Sequence, residues 1–89
     1  MDFRWNDWNE EHVGNHGVSP EEAEYVVRRA KSPFPRSIGD DKLLVWGRGN
    51  GGRYLQVVFI FDNDETAYII HARLLNDKEK RRYKRIMRL

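Results

Sequence analysis

The fold is decided by the stretch H-G-V-S-P-E-E-A, residues 16–23, because it ends one helix and begins another. Gly17 is typical of the position just after a helix C-terminus, where glycine adopts the left-handed conformation at little steric cost. Ser19 and Glu22 form a capping box, in which each side chain bonds the other residue's backbone N–H, and Pro20 fits the first helical position. The segment therefore predicts two helices joined by a sharp turn.

Helices extend from this turn in both directions. Asn6 can cap a first helix over residues 7–16, and a brief edge strand over residues 3–5 can precede it. The second helix carries apolar side chains at the helical spacing i, i+3, i+4 and i+7, namely Ala23, Val26, Val27 and Ala30. The P-F-P run at residues 33–35 ends that helix.

The rest of the chain predicts a sheet and a final helix. Strand-like segments lie at residues 43–48, 53–61 and 66–73. The G-N-G-G run at residues 49–52 is a strong hairpin signal, and D-N-D-E at residues 62–65 makes a second turn. A capping box at Asn76 and Glu79 begins a helix that reaches about residue 88. We expect one α+β domain over residues 1–89, with two N-terminal helices, a three- to four-stranded antiparallel sheet and a C-terminal helix.

Composition narrows the classes of protein that the chain can belong to. With 89 residues, 39% of them hydrophobic, it can build one small core. It has no cysteine, which excludes disulfides and thiolate zinc sites. No apolar run approaches the roughly 20 residues that span a bilayer, so we expect a cytoplasmic protein without a membrane partner.

Charge is distributed unevenly along the chain. Residues 1–41 contain 5 basic and 9 acidic side chains, whereas residues 42–89 contain 11 basic and 5 acidic ones. These counts give −4 and +6, which sum to the net charge of +2. The asymmetry favours a polyanionic partner on one side of the fold, although basic surfaces are often only solvated.

The last predicted strand carries two residues suited to phosphate chemistry. Strand periodicity puts Ala67, Ile69, His71 and Arg73 on one face. Cleavage of RNA without a metal needs a base, an acid and cations for the developing charge. His71 fits proton transfer near neutral pH, and Arg73 fits bidentate phosphate binding.

Two further arginines flank the glycine-rich turn. Arg48 ends the first predicted sheet strand and Arg53 begins the next, so several donors can converge where the backbone allows close approach of a ligand. The alternative is that both are solvated charges at the end of a hairpin.

The other histidines have simpler explanations. His12 and His16 are four residues apart, a spacing that can bind metal on a helix. No glutamate lies between them and no third ligand is evident, so we expect neither a metal site nor a cofactor. His12 is better explained by packing beside Trp8. His16 fits the helix C-terminus electrostatically, but it also remains a candidate catalytic residue.

The C-terminal helix has a basic stripe. The stripe consists of Lys78, Arg81, Arg82, Arg85 and Arg88 at helical spacing. Such residues bind phosphates without recognising the base sequence. The candidate RNA contacts are Lys78, Arg81, Arg82 and Arg85 of this stripe, together with Arg48. Tyr83 can stack on a base or anchor the helix to the sheet. The competing interpretation is a solvated stripe or one that faces a partner protein.

These segments resemble the BrnT family of bacterial type II toxins, which are RelE-like ribonucleases. The resemblance runs from residue 3 to about residue 83. It rests on F-R-W-N at 3–6, H-G-V-S-P-E-E-A at 16–23, G-R-Y-L-Q-V-V at 52–58 and I-H-A-R at 70–73, with Glu79 and Tyr83 after them. Asn15 stands where the family usually has lysine, Pro20 replaces an aromatic residue, and His71 replaces serine.

The resemblance implies an RNA substrate and a cognate DNA-binding antitoxin, with which the chain could form an oligomer. The leading hypothesis is a metal-independent endoribonuclease with Arg53 and Arg73 as phosphate binders and His16 or His71 as acid and base. Two alternatives stay open, namely a non-catalytic nucleic-acid-binding module of the same fold and a protein that binds only a partner.

Overall fold

The computed structural model describes all 89 residues and confirms the α+β fold. Its elements in chain order are β1 (Phe3–Arg4), α1 (Asp7–Gly14), α2 (Pro20–Arg28), β2 (Arg36–Ser37), β3 (Leu43–Arg48), β4 (Tyr54–Phe61), β5 (Ala67–Leu74) and α3 (Asp77–Met87). The sheet has five strands in the order β1-β5-β4-β3-β2. It exceeds the predicted three- to four-stranded antiparallel sheet because β2 adds an edge strand and β1 pairs with β5 in parallel.

The turn that links the first two helices forms as the sequence predicts. Gly17 has φ of 73°, and the N–H of Val18 donates to the carbonyl of Val13 at 3.1 Å. The Ser19 hydroxyl accepts from the N–H of Glu22 at 3.1 Å, and the Glu22 carboxylate accepts from the N–H of Ser19 at 3.2 Å. Helix α1 ends at Gly14, two residues earlier than predicted, so His16 lies in the turn.

The main core lies between the helices α1 and α2 and one face of the sheet. Buried side chains on this face include Val45, Leu55, Val57, Phe59 and Ile69. Helix α2 approaches β3 closely at Gly47, where an added Cβ atom would lie 3.2 Å from Val26 Cγ1. A glycine at this position therefore lets α2 pack directly on the strand.

Helix α3 packs on the opposite face of the sheet. Its Tyr83 ring lies 5.8 Å from that of Tyr54 and 6.2 Å from that of Phe34, measured between ring centroids. Tyr54 and the core residue Leu55 are neighbours on β4, so their side chains point to opposite faces. Tyr83 is itself buried, which makes it the anchor of α3.

A β-bulge in β5 changes which residues share a face. Val58 pairs with His71, but Phe59 pairs with Ile69, so Ile70 is an extra residue on β5. An extra residue interrupts the alternation of side chains along a strand. As a result the core face of β5 continues with Ala72 rather than with His71.

The predicted face of β5 is therefore wrong in part. Ala67 and Ile69 are buried, whereas His71 and Arg73 are partly exposed and pair with Val58 and Gln56 on the face away from the main core. His71 and Arg73 do share a face, as the sequence indicates, but it is not the face of Ala67 and Ile69.

Asn9 ties α1 to the edge of the sheet. It is fully buried, and its amide nitrogen donates to the carbonyls of Arg4 at 3.1 Å and Ile69 at 2.9 Å. Its amide oxygen accepts from the N–H of Asn6 at 2.7 Å, which completes a capping box at the start of α1. One side chain thus bonds β1, β5 and the helix cap.

We expect Asn9→Ala to lower the free energy of unfolding by about 2 kcal/mol, because buried backbone groups lose their partners. Urea denaturation measures this change, with the exposed Asn15→Ala as the matched control. Equal stability of the two variants would contradict the role of Asn9.

Candidate functional site

All three histidines of the chain lie in one row at the β5 side of the sheet. The ring centroids of Trp8 and His12 are 4.7 Å apart and the rings are stacked. His12 and His16 are 6.3 Å apart, and His16 and His71 are 5.5 Å apart. The packing of His12 beside Trp8 agrees with the prediction. The contact between His16 and His71 joins the α1–α2 turn to β5.

An aromatic surface continues this row. Trp8 is 53% exposed and its ring centroid lies 6.5 Å from that of Tyr68. The Arg4 guanidinium lies 3.9 Å from the centre of the Tyr68 ring and is held there by Asp62, at 2.7 Å. The Tyr68 hydroxyl donates to Asn6 Oδ1 at 3.2 Å. The rings next to the histidines are therefore fixed in orientation and open to solvent at Trp8.

His71 is the histidine whose protonation the fold perturbs. Burial lowers its pKa below the ordinary 6.5, and the positive charges of His16, Arg73 and His12 lower it further. The neutral imidazole is thus the favoured form of His71 near neutral pH. A neutral imidazole can accept a proton, which is the property required of a general base.

Arg73 is held by a carboxylate on α3. Its two terminal nitrogens donate to the two carboxylate oxygens of Glu79 at 2.8 and 2.9 Å. They also donate to the Leu74 carbonyl at 3.1 Å and to Gln56 Oε1 at 3.3 Å. The Arg73 side chain remains 32% exposed. The predicted phosphate binder is therefore at the surface, but its terminal nitrogens already have partners.

Arg53 is held in the same way at the start of α2. It donates to the Glu22 carboxylate from Nη2 at 2.6 Å and from Nε at 3.0 Å. Nη2 also donates to the Gly17 carbonyl at 2.7 Å. Arg53 therefore fixes the turn that carries His16.

Arg53 and Arg73 are each bound by a glutamate in the first turn of a helix, a pairing that the sequence did not reveal. Glu22 and Glu79 each occupy the third position of a helix and close a capping box. Each also accepts both hydrogen bonds of an arginine from the sheet, and the Arg73 contact lowers the pKa of Glu79 to about 2. The capping boxes and the arginines are visible in the sequence, but no local pattern pairs residues 22 and 53.

The remaining predicted contacts lie elsewhere on the surface. The Arg48 Nε donates to the Gly52 carbonyl at 3.2 Å, and its guanidinium lies 5.7 Å from the centre of the Tyr54 ring. The α3 residues Lys78, Arg81, Arg82, Arg85 and Arg88 are exposed. The structure thus presents a basic helix face, whereas Tyr83 packs beneath that helix.

No group of three or more histidine, cysteine or carboxylate side chains is arranged to hold a metal ion. No helix combines the length and the apolar character that crossing a membrane requires.

We expect Glu79→Gln to lower the free energy of unfolding by about 1 kcal/mol at pH 7, because the charge-assisted bonds to Arg73 are lost. The folded-state pKa of Glu79 is lowered from 4.5 to about 2, so the stabilisation is complete above 4.5 and is lost as the pH falls toward 2. The difference in stability between wild type and variant should therefore shrink over that range in acid denaturation.

The matched control is Asp77→Asn, which removes a carboxylate of the same helix turn whose side chain is 87% exposed. A difference for Glu79→Gln that is independent of pH, or no larger than that of the control, would contradict the assigned ion pair.

Comparison with known proteins identifies the fold. No family model matches the sequence, and no curated protein matches it. The crystal structure of the Brucella abortus ribonuclease toxin BrnT superposes with a TM-score of 0.69 at 20% sequence identity, covering 86% of this chain and 99% of that chain. The chain therefore has the fold of this ribonuclease toxin, and the resemblance found in the sequence is confirmed at the level of the fold.

Proposed function

We propose that this chain is the toxin of a type II toxin–antitoxin pair and acts as a metal-independent endoribonuclease. The observation that carries the proposal is the pairing of His16 with His71, whose ring centroids are 5.5 Å apart. Two imidazoles at this separation can serve one phosphodiester as acid and base. The fold shared with the Brucella abortus ribonuclease toxin supports the same proposal.

In this mechanism His71 is the general base. The neutral His71 imidazole removes the proton from the ribose 2′-hydroxyl, and the 2′-oxygen attacks the adjacent phosphorus. Protonated His16 donates a proton to the 5′-oxygen as its bond to phosphorus breaks. The products are a 2′,3′-cyclic phosphate and a free 5′-hydroxyl, and no metal takes part in the step.

The arginines have distinct roles in the proposal. Arg73 supplies positive potential beside His71 that favours the negative charge developing on the phosphorane. Its terminal nitrogens are bound to Glu79, so direct phosphate contact requires the Arg73 Nε or exchange of that carboxylate. Arg53 is a positioning residue, because it holds the carbonyl of Gly17 next to His16.

RNA would lie across the basic face of α3 and the aromatic surface at Trp8. Arginine and lysine side chains attract the phosphates, and an exposed indole offers a stacking surface to an unpaired base. A cognate DNA-binding antitoxin would cover these groups in the inactive complex. Co-expression with the product of the adjacent gene, followed by co-purification and recovery of growth, tests this partner.

A non-catalytic nucleic-acid-binding protein is the second candidate. The observation that favours it is the bidentate pairing of both Arg53 and Arg73 with carboxylates, which leaves fewer free donors for a phosphorane. Binding that weakens steeply with salt, without any product, would select this function.

We expect His71→Asn and His16→Asn each to reduce the rate of RNA cleavage in EDTA by about 100-fold or more, the usual contribution of a general acid or base. His12→Asn is the matched control, since His12 belongs to the same row but has no assigned proton transfer. Gel analysis of single-turnover cleavage measures the rates.

Acid should reduce the wild-type rate only at a pH below the ordinary histidine pKa of 6.5, because burial and nearby cations lower the pKa of His71, which acts as a base until it is protonated. Equal cleavage rates for His71→Asn, His16→Asn and His12→Asn, or no cleavage by the wild type, would contradict the assignment of His16 and His71 as acid and base.

We expect Arg81→Gln/Arg85→Gln to weaken RNA binding and to make its dependence on log salt shallower by about 1.4, if each arginine neutralises one phosphate of a single strand. Fluorescence anisotropy with a labelled oligonucleotide measures both. Arg28→Gln/Lys42→Gln removes the same charge from two exposed residues outside α3 and should leave the slope unchanged. An unchanged slope for the α3 variant would assign the stripe to solvent or to a partner protein.

A further inference from the structure

A second region of the molecule has the features of a ligand site. A cavity of about 280 Å³ lies between α2, the end of β3 and the C-terminal end of α3. This volume is close to the lower limit of typical small-molecule pockets, about 300 Å³. Strand β4 lies between β3 and the histidine-bearing β5, so the cavity is separate from the row of histidines.

Aromatic side chains form part of the cavity wall. Tyr25, Trp46 and Tyr83 line it, and each comes from a different element. The indole N–H of Trp46 donates to Gln56 Oε1 at 3.0 Å, which holds the ring in place. Fixed aromatic rings can stack on a flat ligand ring at low entropic cost.

The charged side chains of the wall are all basic. Arg29, Lys31 and Arg48 line the cavity, and no acidic side chain does. None of the three has a carboxylate within salt-bridge distance, in contrast to Arg53 and Arg73. The Arg29 guanidinium lies 4.8 Å from the centre of the Tyr25 ring, so cation and aromatic ring already adjoin. Such a set of donors favours an anion.

The edge of the sheet contributes polar backbone groups. Strand β2 pairs only with Leu43 and Leu44, so β3 has no neighbour on that side at Arg48, which lines the cavity. Backbone groups alternate in direction along an antiparallel strand, so those of Gly47 face Leu55 of β4 and those of Arg48 face the open edge. Free N–H and C=O groups on a strand edge can bind the edge of a heterocyclic base.

From these contacts we propose that the cavity binds a nucleoside monophosphate, either free or as the 5′-phosphorylated end of an RNA. The base stacks among the aromatic side chains, and the phosphate contacts Arg29, Lys31 and Arg48. The proposal does not depend on cleavage at His16 and His71, and it concerns binding alone.

The test is a titration of the ¹⁵N-labelled full chain with AMP, adenosine and inorganic phosphate in separate series. AMP should shift the indole N–H signal of Trp46, while Trp5, whose indole donates to Glu24 at 2.7 Å, serves as the internal reference. Adenosine and phosphate alone should each bind at least about tenfold more weakly, because each makes only part of the contacts.

Arg29→Gln/Arg48→Gln should weaken AMP binding by about tenfold or more, whereas the matched control Arg28→Gln/Lys42→Gln, at two exposed residues that do not line the cavity, should not. A 5′-phosphorylated oligonucleotide that competes with AMP, when its 5′-hydroxyl form does not, identifies an RNA end as the ligand. Absence of competition identifies the free nucleotide. Either result supports the site.

Three results would overturn the proposal. These are AMP shifts at Trp8 instead of Trp46, equal affinity for phosphate and AMP, and unchanged AMP binding by Arg29→Gln/Arg48→Gln. His71→Asn separates this site from the proposed catalysis, since it should reduce the cleavage rate by about 100-fold or more and leave AMP binding intact.

Discussion

Two bidentate ion pairs hold α2 and α3 to the sheet, and the arrangement of the candidate site depends on them. Glu22 at the start of α2 binds Arg53 of the β3–β4 turn, and Glu79 at the start of α3 binds Arg73 of β5. Each carboxylate also accepts the N–H of its own helix cap, at Ser19 and at Asn76. Helix initiation and helix docking are therefore coupled through the same two side chains, on opposite faces of a small sheet.

The coupling explains how distant residues come together. Arg53 bonds the carbonyl of Gly17 and so fixes the turn that presents His16. The β-bulge at Ile70 moves His71 off the core face of β5, where it can meet His16 at the edge. Without this extra residue, side chains would alternate regularly along β5, and the imidazole of His71 would point into the core. Backbone irregularity and ion pairing thus act together in placing the proposed acid and base.

The surface of the domain divides into regions with different electrostatic character. In the histidine row, the nearby arginines are paired with carboxylates, and burial together with the charges of His16, Arg73 and His12 lowers the pKa of His71. In the cavity beside β3, the three cations have no such partners. Proton transfer benefits from tuned imidazoles, whereas binding of a phosphate benefits from free cations. Proton transfer is therefore proposed at the histidine row, where the arginines are paired with carboxylates. Phosphate binding is proposed at the cavity beside β3, where the cations have no carboxylate partner.

The sequence by itself determined the helix starts, the hairpin turn and the order of the elements other than β2, because caps, glycine turns and side-chain periodicity act over a few residues. It also indicated His16, His71, Arg53 and Arg73 as residues of interest. Their partners were decided only by the tertiary structure. The separation of 31 residues between Arg53 and Glu22 leaves no local signal. A one-residue bulge reverses the face of a strand without changing its composition, so the face of His71 followed from strand pairing across the sheet.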